Sequence, residues 1–166
     1  MPETRIFAGV GTHPQQFNRL VKALDRLAKN DKSLRIFAQT GNSDFAPSFP
    51  HEKFLSGTEY EKKFRDASII VSHGGAGTII SALQLEKRLV IVPRLKKFGE
   101  HTNDHQLDLA RALEKQGKAI AVENISGLAG AIKRAERFRP DFSSSREKLI
   151  IRIGAFLESA EKREIK

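Results

Sequence analysis

A chain of 166 residues, 39% hydrophobic and 30% charged, is long enough for one domain with a real core, and having no Cys it excludes disulfides, thiol catalysis and Cys-ligated zinc. No apolar run reaches the ~18–20 residues that cross a bilayer and no basic-then-apolar leader opens the chain, so a cytoplasmic protein is expected. The net charge of +9 points to an anionic neighbour, phosphate or membrane before nucleic acid, because the 11 Phe and 1 Tyr sit mostly in apolar patterns, not among Arg and Lys as base-stacking platforms.

Arg5–Val10 is a short apolar run stopped by Gly11-Thr12, which reads as a buried strand entering a turn. Pro14 suits the first turn of a helix, and Phe17, Leu20, Val21, Leu24, Leu27 and Ala28 recur at spacings that make one apolar face. Leu34–Ala38 reads as a second strand, ending at Gln39-Thr40-Gly41. Residues 46–50 are loop and Lys53–Leu55 a short third strand. Thr58 is placed to cap a helix to about Phe64, with Glu61 as its capping-box partner. Ser68–Ser72 is a continuous apolar strand of the kind covered on both faces, and it runs into His73-Gly74-Gly75-Ala76-Gly77-Thr78 and a helix to about Glu86. Leu89–Pro93 is the next buried strand, followed by a polar loop over 94–100 and a helix from Thr102 to Gln116. Lys118–Val122 is a sixth strand and Ser126 to about Arg137 a helix. Residues 145–162 form a last, amphipathic helix with Leu149, Ile150, Ile153, Phe156 and Leu157 on one face. Alternating strand and helix predicts an α/β fold, a doubly wound, mainly parallel sheet whose ligands bind beyond the carboxyl ends of the strands.

Three segments end on that rim. His73-Gly74-Gly75-Ala76-Gly77-Thr78 bares backbone N–H groups at a helix start, where the dipole favours an anion and glycine lets a phosphate approach. It has neither the Gly-Lys-Ser/Thr of a P-loop nor the glycine spacing of a dinucleotide fingerprint, and a tight strand-to-helix turn is the other reading. Gly11-Thr12-His13 and Gln39-Thr40-Gly41 end the first two strands, and His13 is the rim side chain suited to act as a base. Residues 94–106 are mostly polar and suit sugar hydroxyls. His101 and His105 stand four apart, but a His pair with no supporting third ligand is weak, so no metal is expected. The clusters at Lys87-Arg88, Lys96-Lys97, Lys133-Arg134, Arg137 and Arg139 read mostly as solvated faces, some able to meet anionic headgroups.

Taken together, Ser72–Thr78, Leu89–Pro93 and His105-Gln106 with the helix after them resemble the C-terminal half of family 28 glycosyltransferases, GT-B enzymes of the MurG type. More narrowly, Val10-Gly11-Thr12 and Pro93-Arg94…Gly99-Glu100-His101…Asn103-Asp104-His105-Gln106 are similar to the PssE-type exopolysaccharide glycosyltransferase subunit. That subunit is itself similar to the soluble subunit of the dolichyl-pyrophosphate GlcNAc transferase. The resemblance runs from residue 5 to about 135. It implies the Rossmann-like half of a GT-B fold, with residues 1–166 as a single UDP-sugar donor-binding domain. By the same resemblance Gly74, Gly75, Ala76, Gly77 and Thr78 hold the diphosphate, Gln39-Thr40-Gly41 lies near the nucleotide, and His105-Gln106 faces the donor sugar. Gly11, Thr12, His73 and Asn103 complete the expected donor-binding set. Where many relatives carry a Glu against the ribose hydroxyls this chain has Ser81, a departure at the ribose position.

The implied activity is inverting, metal-independent and cofactor-free transfer of a hexose from a UDP-sugar to a lipid-linked saccharide, in exopolysaccharide or glycan assembly. The base is unassigned, with His13 and Glu100 as candidates. Because a whole GT-B enzyme also has an acceptor-binding domain, a membrane-anchored PssD-type partner is implied, holding this chain peripherally at the inner face of the membrane. A non-catalytic UDP-sugar-binding or partner-stabilising module is the alternative. A sugar-nucleotide epimerase of similar fold is less expected, since it too needs a second domain.

Overall fold

The computed structural model describes residues 2–141 and 146–164. One sheet holds the strands β1 (Thr4–Gly9), β2 (Leu34–Gln39), β3 (His51–Glu52), β4 (Ile69–Ser72), β5 (Arg88–Ile91) and β6 (Ile120–Ala121). Their order is β3-β2-β1-β4-β5-β6 and every pairing is parallel. The register aligns Gly9 with Gln39 on one side and with Ser72 on the other, and Ser72 with Ile91. The chain therefore winds outward from β1 in one direction and then from β4 in the other. The switch in order lies between β1 and β4, the place where such sheets open a crevice at their carboxyl ends.

Helices cover both faces, as the unbroken apolar strands require. Ile6, Ala8 and Val10 point to the face packed by α1 (Asn18–Asn30) and α5 (Leu128–Arg137). Phe7 points to the face packed by α2 (Gly57–Asp66), α3 (Ala76–Gln84), α4 (His105–Lys115) and α6 (Arg146–Glu164). In β4, Ile69 and Val71 serve the first face and Ile70 the second, and all three are fully buried. The expected doubly wound α/β fold is the one observed. Helix α6 lies along α3 and buries Ile153, while Phe156 is part exposed and Ile151 largely so. The side chains of Leu149 and Leu157 lie outside the described residues.

Four local expectations are corrected. Ser56, not Thr58, caps α2: its hydroxyl accepts the Glu59 N–H at 3.3 Å, and the Glu59 carboxylate accepts the Ser56 N–H at 3.2 Å. The motif Ser/Thr-x-x-Glu occurs twice in overlapping register. The first copy wins because Ser56 has the extended backbone of a cap, which leaves Glu61 inside the helix to pair with Arg65. The third strand is His51–Glu52, two residues early; Lys53 and Leu55 instead serve the end of β2, where Gly41 donates to the Lys53 carbonyl and Leu55 to the Gln39 side chain. Pro14 lies in the loop before α1, which begins at Asn18. Finally, α4 starts at His105 and not Thr102, its first N–H held by the Asn103 side chain at 3.0 Å.

Candidate functional site

At the switch point, β4 ends in Ser72 and the chain turns through Gly74 at φ 94°, a conformation that favours glycine. The Ser72 hydroxyl accepts the Gly74 N–H at 3.2 Å. Helix α3 follows with Gly75 at its cap position, no side chain capping it and no acidic residue in its first turn. The N–H groups of Gly75, Ala76, Gly77 and Thr78 have no hydrogen-bond partner among the described residues. Orphan donors at the positive end of a helix make an anion site. A Cβ added at Gly77 would meet nothing within 4 Å, so the approach to these amides is open there. The Thr78 hydroxyl is hydrogen-bonded to Tyr60 Oη at 3.1 Å, and the Tyr60 ring stands edge-on to Phe7.

His73 sits beneath this turn, 8% exposed, with its ring lying where a Cβ on Gly11 or on Gly75 would fall. The Gln106 side chain fixes it. Gln106 Oε1 accepts the Arg94 N–H at 3.0 Å, which turns Gln106 Nε2 toward His73 Nδ1 at 3.3 Å. Nδ1 is thus the acceptor, and the neutral ring carries its proton on Nε2. Burial, and after it the charge of Arg94, push the His73 pKa down to about 3. His73 is a neutral spacer that sets the distance between loops. Gly11 (φ 79°) and Gly41 (φ 55°) meet beside it, and a Cβ on Gly41 would lie 2.6 Å from the Gly11 carbonyl oxygen.

Arg94, 1% exposed, ties the rim together. Its Nη1 donates to the carbonyls of Gln15, Gln16 and Glu100 at 2.9, 3.1 and 3.1 Å, and its Nη2 to Val10 at 2.6 Å. The guanidinium lies over the Phe17 ring, 4.9 Å from its centroid. Burial, opposed by the Glu100 charge, lowers its pKa to about 10, so it stays charged at neutral pH. Glu100 is equally buried. Its carboxylate accepts from Arg19 Nε at 2.9 Å and Nη2 at 2.8 Å, and from the Leu95 N–H at 3.0 Å. Both oxygens are engaged within the protein, leaving this carboxylate without a face for an incoming hydroxyl.

The structure brings Gly11, Thr12, His13, Thr40, Gly41, His73–Thr78 and Gln106 to one rim. Thr12 is exposed, and the His13 ring stacks on His101 with centroids 4.7 Å apart. Gln39 is placed differently from expectation: its side chain is buried and turned to the Leu55 N–H, so it shapes the loop after β2. Asn103 spends its side-chain oxygen on the α4 start, His105 is half-buried, and Ser81 is half-buried one turn beyond Thr78. Among the described residues no group of three His, Asp or Glu is arranged to hold a metal. Sequence reasoning missed Tyr60 and Arg19, and it named Arg94 only within a motif, without its tying role. The signals were present: the chain's one Tyr within a polar helix, and an Arg directly after the apolar run that ends at Pro93.

The family model described as "Glycosyltransferase family 28 C-terminal domain" matches residues 5–162. The UDP-N-acetylglucosamine transferase subunit ALG13 of Homo sapiens is 35% identical over 124 residues, covering 68% of this chain and 10% of that protein. The UDP-N-acetylglucosamine--N-acetylmuramyl-(pentapeptide) pyrophosphoryl-undecaprenol N-acetylglucosamine transferase of Streptococcus uberis is 24% identical over 153 residues, 87% of this chain and 42% of that one. The chain thus spans well under half the length of these relatives. Among solved structures, the kitacinnamycin glycotransferase superposes with TM-score 0.64 at 18% identity, over 98% of this chain and 43% of that chain. The solution structure of ALG13 gives TM-score 0.57 at 14% identity, over 83% and 87%.

Proposed function

Because this chain belongs to the glycosyltransferase family 28 C-terminal domain family, we propose that it is the donor-binding, catalytic part of a UDP-sugar hexosyltransferase of the PssE type. The observation that carries the reading is the set of unpartnered amides from Gly75 to Thr78, at the switch point of the sheet. In this reading the diphosphate of the UDP-sugar lies on those amides, and the Thr78 hydroxyl, oriented by Tyr60, adds a further donor. The acceptor hydroxyl attacks the anomeric carbon as the bond from that carbon to the diphosphate oxygen breaks, inverting the centre. Negative charge builds on the departing diphosphate, where donors already in place lower the barrier without reorganising and no metal is required. The acceptor's proton goes to His13 at the rim or to a group supplied by a partner. Glu100 is not used, since its oxygens are taken by Arg19 and Leu95.

The names of the relatives support the finer parts. One is a transferase subunit, which fits a chain that works with a membrane-anchored, acceptor-binding partner of the PssD type. The other acts on a pyrophosphoryl-undecaprenol acceptor, which fits a lipid-linked saccharide. No helix among the described residues is long and apolar enough to cross a membrane. In this reading the partner holds the chain at the inner face. A binding module without turnover is the second reading, favoured by Ser81 at the position where the family resemblance implies an acid.

Gly77→Glu tests the anion site. The new side chain has room, and a carboxylate in the first turn suits the helix dipole, so thermal stability should hold or rise by ~0.3–1 kcal/mol. The same charge opposes a diphosphate, so UDP affinity measured by calorimetry should fall at least ~10-fold. Unchanged UDP affinity overturns the reading. Transfer of radiolabelled sugar on membranes co-expressing the partner separates the two readings, since UDP-sugar binding without transfer leaves the binding module.

A further inference from the structure

A cleft of ≈ 980 Å³ opens at the opposite pole, beside the amino ends of β1, β2 and β5. With β1 six residues long, ~20 Å of sheet separates it from the rim. Leu27, Leu34 and Ile132 give it an apolar floor, while Arg88 at the start of β5 and Lys133, Arg134 and Arg137 on the last turns of α5 line its sides. Its carboxylates are largely spoken for. Glu3 pairs with Arg35, and Asp31 holds the Ser33 N–H and hydroxyl and feels the charge of Lys133. Glu136 accepts the Thr4 hydroxyl at 2.8 Å. Arg88, Arg134 and Arg137 have no carboxylate within ion-pair distance among the described residues. The charged lining residues are Arg88, Lys133, Arg134 and Arg137 against Glu3, Asp31 and Glu136, an excess of one positive charge, and Arg35, which pairs with Glu3 from outside the lining, raises it to two.

Arginines at a helix end also serve the helix dipole, which accounts for Arg134 and Arg137 but not for Arg88, on a different element. Three guanidiniums around one concavity, each with a planar fork of donors, match the oxygens of phosphate. A phosphomonoester at neutral pH carries about −1.5 to −2, close to the excess of the cleft. We propose that this cleft is a second anion site, distinct from the donor rim, that takes a terminal phosphate or pyrophosphate group from a free ligand or a lipid headgroup. Apolar residues beneath the arginines suit a ligand whose phosphate is joined to a hydrophobic portion.

Amide NMR of the full chain, titrated with inorganic pyrophosphate at low ionic strength, tests this site separately from the donor site. Saturable shifts are expected at Arg88 and at 129–137, independent of any response at 75–78. The double variant Arg134→Glu/Arg137→Glu, whose side chains are exposed, should lower the melting midpoint by only a few degrees, for the lost dipole contribution, and weaken the response at 129–137 by at least ~10-fold. Should charge reversal disturb folding, Arg88→Gln carries the same expectation for the cleft. In a second arm, sedimentation with phosphatidylcholine vesicles, with and without phosphatidylglycerol, identifies the source. Capture by the anionic vesicles that the double variant loses assigns a headgroup; a pyrophosphate response without capture assigns a free ligand. Neither response, or responses the variants leave unchanged, overturns the proposal.

Discussion

Gly75 and Gly77 stand two residues apart and are small for different reasons. Gly75 makes room for the His73 ring, whereas Gly77 leaves the amides of α3 open, and a string of glycines in the sequence does not distinguish the two. His73 likewise reads, from sequence, as a member of the binding turn; its burial makes it a neutral spacer. That burial has a pH consequence with a definite sign. The folded pKa, about 3, lies below the 6.5 of a free imidazole, so on acidification the unfolded chain takes up a proton that the folded chain refuses. The stability that depends on the neutral ring is complete above pH 6.5 and is lost progressively as pH falls toward 3. Urea denaturation at pH 7 and pH 5 should show the native chain losing roughly 1–2 kcal/mol more than His73→Gln over that interval. Equal losses in the two proteins would place a charged or solvated His73 in the fold.

Among the elements, α2 shows how far local pattern reaches. A capping box was legible before the fold was known, but two overlapping copies competed, and the choice depended on where the chain leaves β3 and becomes extended. Ser56→Ala should therefore cost about 1 kcal/mol, while Thr58→Ala, inside the helix, should stay within about 0.5 kcal/mol of the native chain, both measured by urea midpoint. Equal effects would return the cap to Thr58. Helix α1 was clearer from the outset because Leu20, Val21 and Leu24 fall on one stripe, yet its Asp25 was not. Burial raises the pKa of that carboxylate, but bonds from Lys29 and Ser48 outweigh burial and hold it at about 2, tying α1 to the loop before β3. Lys29 lies one turn on in the same helix, but Ser48, on a separate loop, leaves no trace in a helical period.

Across the whole molecule, the rim is one unit because Arg94 joins the loop after β5 to the loop after β1. Its guanidinium satisfies four carbonyls in these two segments, and Gln106, on α4, reaches from its backbone N–H to His73. Arg94→Met should strand those four buried carbonyls, which cost about 1–3 kcal/mol each less what relaxation recovers, lowering stability by about 3–5 kcal/mol. At ~2–4 °C per kcal/mol for a chain of this size, the melting midpoint should drop on the order of 10 °C with a single transition kept. A midpoint unmoved by Arg94→Met would show that the loops hold their places without it. The architecture itself was determined by the sequence alone: strands apolar on both faces alternating with amphipathic helices can bury their surfaces only as a parallel sheet covered twice, and the glycine turn after β4 had to lie at its carboxyl edge. Which rim residues face outward was decided by tertiary structure. Gln39 and Glu100 look as available as Thr12 in the sequence, and they turn inward because Leu55 and Arg19, distant along the chain, offer the partners that a buried polar group must find.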